Sequence, residues 1–90
     1  MSQAIWKYTI RFGGSLEIPK GAKLLSAKMQ NDDICIWAVV DPKELPVTRK
    51  FEVYGTGHSI NDIGDLTFIN TVMNEDHSLV LHVFERNLAR

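Results

Sequence analysis

The strongest constraint on this chain is a two-residue alternation of apolar and polar side chains that restarts about every ten residues. It is clearest in "AIWKYTIRF", where Trp6, Tyr8, Ile10 and Phe12 fall on one face and Lys7, Thr9 and Arg11 on the other. A helix would scatter these residues around its circumference, whereas a strand sorts them into a core face and a wet face. Gly13 and Gly14 interrupt the run and imply a hairpin into "SLEI", with Leu16 and Ile18 turned inward. Pro19 has no N–H to donate, so that second strand is expected to be short or to lie at an edge.

The same punctuation continues. "PKGAK" reads as a turn, because Pro19 fixes φ and Gly21 tolerates a positive φ. In "KLLSAKMQ", Leu25, Ala27 and Met29 alternate; Leu24, Leu25 and Lys28 also suit a helical turn, but "NDD" at 31–33 reads as a hairpin turn and favours a strand. "ICIWAVV" is β-branched, aromatic and apolar on both faces, which suits a central strand. The two prolines of "DPKELP" force a loop. "TRKFEVY" then resumes as a strand, with Phe51 and Val53 opposite Lys50, Glu52 and Tyr54. "LTFINTVM" and "SLVLHVF" form two more strands around the turn formers of "NEDH", and the polar tail 85–90 is expected to fray. About seven short strands without a long helix predict an all-β antiparallel sandwich or small barrel. Ninety residues make one domain, 1–90.

Composition narrows the function. A net charge of −1 argues against a general nucleic-acid binder. The single cysteine, Cys35, allows no intrachain disulfide and lies in an apolar run, so a buried core thiol in a reducing compartment is expected. No stretch approaches the roughly 18 apolar residues of a membrane helix, and the N-terminus lacks the pattern of a signal peptide. The expected location is the cytoplasm.

Catalytic chemistry is poorly marked. His58, His77 and His82 lack the close spacing of a zinc motif, and one cysteine cannot build a thiolate site. His77 sits in an acidic turn. His82 alternates with Val80 and Phe84, opposite Leu79, Leu81 and Val83, so it faces the outer side or an interface if the leucine face is core. Ser59 adjoins His58, but neighbours on an extended backbone point apart, so no triad is indicated. No enzyme, metal or cofactor is expected.

The one loop with binding character is "YGTGH". It is too short for a dinucleotide fingerprint or a P-loop, and no helix follows to receive a phosphate. Two readings remain. Gly55 and Gly57 serve a tight turn at a strand end, or they let backbone N–H groups converge on an anion. In the second case His58 and Arg49 add donors, Tyr54 stacks on a base, and Thr56 completes the rim. Lys7 and Arg11 share the outer face of the first strand, and Lys28, Arg49 and Lys50 belong to the same charge class.

The motifs "IWKY", "PKGAK", "IWAVVDP", "YGTGH" and "HVFE" follow in this order from Ile5 to Glu85. In this ordered set the chain resembles a family of small bacteriophage and prophage proteins with no assigned activity. The resemblance implies an accessory protein acting in the cytoplasm of an infected bacterium, in many such cases against host defence. By that analogy the expectation is a non-enzymatic protein that binds a small anionic ligand, such as a nucleotide signal, as a homo-oligomer. Direct binding to a host defence protein, or a place in the virion or its assembly, are the alternatives. Two tryptophans, two tyrosines and four phenylalanines are a heavy aromatic load for so small a core and favour an interface between copies.

Overall fold

Each alternating run becomes a strand in the computed structural model, which describes residues 2–87. The strands are β1 (Ala4–Thr9), β2 (Gly13–Pro19), β3 (Lys23–Gln30), β4 (Asp33–Val40), β5 (Pro46–Gly55), β6 (Leu66–Met73) and β7 (Val80–Arg86). They form a three-stranded sheet ordered β1-β4-β3 and a four-stranded sheet ordered β2-β5-β7-β6, antiparallel throughout. The fold is an all-β sandwich. Period-two burial explains it: Ile34, Ile36, Ala38 and Val40 of β4 meet Phe51, Val72, Leu81 and Val83 of the facing sheet in one core. The outward residues of β4 are Cys35, Trp37 and Val39. Cys35 is buried there, outside the main core cluster.

Local chemistry sets the hairpins. Asn31 and Asp32 have φ of 52° and 67°, the two positive values that a two-residue β3–β4 turn requires and that Asn and Asp tolerate. At the β6–β7 turn Asn74 Oδ1 accepts from the Leu79 N–H (3.0 Å), and Asp76 Oδ1 accepts from the Ser78 N–H (3.0 Å).

Four expectations are corrected. The glycine pair does not make a hairpin: β1 and β2 belong to different sheets. The Gly13 N–H bonds Ile10 C=O (2.9 Å) and Arg11 takes a φ of 51°, so this turn hands the chain across the sandwich. Phe12, at its tip, is 71% exposed and not inward. In β3 a bulge between Leu24 and Ser26 shifts the register, so Leu24, Ala27 and Met29 face the core and Leu25 is exposed. At the C-terminal end Glu85 and Arg86, expected in the fraying tail, are part of β7; residues 88–90 lie outside the described residues.

The long connection 56–65 has a topological cause. β5 and β6 both run antiparallel to β7, so they are parallel to each other. β5 ends opposite Leu81, while β6 begins opposite Arg86, at the far end of β7. The chain must therefore return along the whole of β7, and such parallel crossovers take about a dozen residues. A single 3₁₀ turn (Ile63–Asp65) completes the return.

Candidate functional site

The glycine loop opens this crossover. His58 N–H donates to Gly55 C=O (3.1 Å), closing a four-residue turn with Gly57 third at a φ of 88°. A type II turn needs a positive φ at that place, and glycine supplies it without strain. Gly55 is glycine for another reason. The His58 ring lies on its backbone, and a Cβ there would stand 2.8 Å from His58 Cε1 and 2.9 Å from Nδ1. Thr56 Oγ1 lies 2.8 Å from His82 Nε2, and Thr71 Oγ1 lies 2.9 Å from His82 Nδ1. Each hydroxyl donates or accepts, so the pair holds the imidazole in either tautomer.

Below the crossover lies the outer face of the four-stranded sheet, where Tyr54, His82, Phe84 and Arg86 project outward. Phe84 is buried on this face and meets Tyr54 and Phe68 edge-on, with ring centroids 5.9 and 5.5 Å apart. Arg86 holds Glu52 through two hydrogen bonds (2.6 and 2.7 Å) and donates to Asn61 C=O (3.0 Å) and Asp62 C=O (3.1 Å). One guanidinium thereby clasps the crossover to the sheet. Hydrogen bonds from Arg86, and then from the Tyr54 hydroxyl, lower the Glu52 pKa to about 2 against the opposing effect of burial. The Tyr54 pKa is raised, first because its hydroxyl donates to that carboxylate.

Five of the six residues singled out in the sequence fall together here: Tyr54, Gly55, Thr56, Gly57 and His58. Arg49 does not join them. It occupies the opposite face of β5, where it makes a two-bonded pair with Glu85 (2.6 and 2.7 Å) and donates to Ala22 C=O (2.7 Å). That pair raises the Arg49 pKa, first through the Glu85 hydrogen bond. Alternation of side chains along β5 is the cause, since residues 49 and 54 differ by an odd number. Arg49 is thus absent from the loop, Arg86 is committed to the clasp and the His58 N–H to the turn.

The outer face of the three-stranded sheet is different. Strand register arranges it in rows: Ile5–Val39–Lys23, Lys7–Trp37–Ser26 and Thr9–Cys35–Lys28. Trp37, half-buried, is central, and the exposed Lys7, Lys23 and Lys28 stand at three points around it. Opposed side chains across a strand pair lie about 5 Å apart at Cβ, and successive rows about 7 Å. Lys7 Nζ donates to Gln30 Oε1 (2.8 Å). None of the three lysines takes part in an ion pair among the described residues. Lys7 and Lys28 were legible as outward cations, but their convergence with Lys23 on Trp37 depends on the β3 bulge, which no alternation rule locates. Arg11 and Lys50, of the same charge class, lie elsewhere, in the β1–β2 turn and on the four-stranded sheet.

Among the described residues no group of three or more His, Cys, Asp or Glu side chains is placed to hold a metal ion, and no helix is long and apolar enough to cross a membrane. A model of a domain family of unknown function, DUF7352, matches residues 1–90, so the chain belongs to that family. No curated protein and no solved structure matches it.

Proposed function

We propose that this member of DUF7352 is a non-enzymatic binding protein that takes a small anionic ligand with a planar ring, of nucleotide type, on the outer face of its three-stranded sheet. The observation that carries the reading is the triangle of Lys7, Lys23 and Lys28 around Trp37, with no carboxylate paired to any of them among the described residues. The base stacks on the indole, a contact worth about 1–3 kcal/mol. The ammonium groups, compact charges on flexible stems, meet the phosphates. The face is a platform and not a cleft, so one copy is expected to bind at micromolar strength, with a second copy adding walls. In an infected bacterium such a protein withdraws a nucleotide signal from the host, the accessory role implied by the phage resemblance.

Isothermal titration against cyclic and linear nucleotides tests this. At least one is expected to bind, at least tenfold more weakly to Trp37→Ala and progressively more weakly as salt rises. Failure of every nucleotide to bind a folded sample overturns the reading. A second reading, docking on a host protein, is favoured by the exposure of Ile5, Phe12 and Leu45. A stoichiometric protein partner captured from host lysate, with no nucleotide bound, selects it.

A further inference from the structure

The sandwich has four sheet edges, and three are blunted. β2 carries Gly13, Gly14 and the charged Glu17, and ends at Pro19. β3 and β6 each carry a bulge and face one another, joined by the Asn70 Nδ2 bond to Ala27 C=O (2.9 Å). β1 is the least protected: it has no proline, glycine or bulge, its one charge is Lys7, and among the described residues its only partner is β4. An unprotected edge is a template for another strand.

The direction of its free groups follows from the ladder. Ile10 N–H bonds Ile34 C=O (2.9 Å), one step beyond the Thr9–Cys35 pair. Antiparallel ladders alternate, so Tyr8 and Trp6 also bond toward β4, while the N–H and C=O groups of Ile5, Lys7 and Thr9 point away from the sheet. The same strand exposes two large apolar side chains, Ile5 (63%) and Trp6 (40%).

We propose that β1 pairs antiparallel with β1 of a second copy about a two-fold axis at Trp6. In this register Ile5 lies opposite the partner's Lys7 as a hydrogen-bonded pair, and the two Trp6 side chains oppose each other as a non-hydrogen-bonded pair, where side chains approach closest. The alternative axis at Lys7 uses the same free groups but opposes two ammonium charges, which is unfavourable. The occupant is a second copy because the strand complements itself: one apolar and one cationic outward residue exchange places across the axis, and the contact is isologous and closed. The product is a continuous sheet ordered β3-β4-β1-β1-β4-β3, with both Trp37 faces on the same side. The inference is independent of the nucleotide reading, because its test reads mass and not ligand.

Light scattering after size exclusion at about 100 μM is expected to give twice the chain mass for the wild type and for Lys7→Ala. Lys7→Pro removes one outward N–H without touching the β4 ladder, and proline is tolerated at an edge facing solvent. It is expected to give a single-chain mass with an unchanged circular dichroism spectrum. A monomeric wild type, or a folded Lys7→Pro that stays dimeric, overturns the proposal. If Lys7→Pro does not fold, Trp6→Cys decides. Mild oxidation is expected to cross-link it into a covalent dimer across the axis, with Cys35 buried and silent. Absence of that cross-link overturns the register.

Discussion

The outer faces of the two sheets differ in what covers them. That of the four-stranded sheet lies under a crossover, and its charges answer one another: Arg86 takes Glu52 and two loop carbonyls, and Phe84 is 8% exposed between Tyr54 and Phe68. That of the three-stranded sheet carries a tryptophan and three lysines that have no carboxylate partners among the described residues. A long glycine-containing loop draws attention as a functional element, yet here strand order demands its length, and Thr56, Asn61 and Asp62 hold it to the sheet. Three cations without an ion pair among the described residues, Lys7, Lys23 and Lys28, lie on the plain, short-looped sheet. Loop length is thus weaker evidence for a site than the accounting of donors and charges.

The sharpest test of the contrast is stability. Phe84→Ala is expected to cost about 3–5 kcal/mol in urea unfolding, as for a buried aromatic, and Trp37→Ala distinctly less. The reverse ranking breaks the comparison. Acid comes next. The Glu52 carboxylate titrates at about 2 in the folded chain against an ordinary 4.5, so its contribution is complete above about pH 5 and disappears as the pH falls toward 2. The melting temperature is expected to fall over that interval, and Glu52→Gln to flatten the dependence. Arg86→Ala should lower the melting temperature by about 5 °C and speed amide exchange at residues 56–65, leaving β1, β3 and β4 protected. Exchange that rises equally everywhere means the crossover is not a separable cover.

Smaller effects sharpen the two faces. Gly55→Ala is expected to cost less than about 1 kcal/mol, since the exposed His58 ring that it meets can swing aside, and His58→Ala in the same chain to recover most of it. A loss that persists in the double variant removes the ring from the explanation. Lys23→Ala and Lys28→Ala should change stability by less than about 0.5 kcal/mol, yet each should weaken nucleotide binding about five- to tenfold. Equal effects on both measurements would make these lysines part of the scaffold.

Much of this was legible in the chain. Alternation revealed the strands, the outward His82 and the two apolar faces of "ICIWAVV" because the side-chain period of a strand is local. "NDD" and "NEDH" announced their hairpins through residues that tolerate positive φ. The glycine pair misled, since its conformational freedom serves a hairpin and an inter-sheet corner equally. "KLLSAKMQ" was ambiguous because a bulge places Leu24 and Leu25 side by side and spoils the period.

The sequence by itself determined an all-β chain of seven strands, the positions of most turns and which residues of each strand share a face. Only the tertiary structure decided that Arg49 turns away from the glycine loop to Glu85, that Arg86 clasps the crossover, and that Lys7, Lys23 and Lys28 surround Trp37. Face membership follows from the geometry of one strand. Which faces meet depends on strand order and register, set by contacts between residues far apart in the chain.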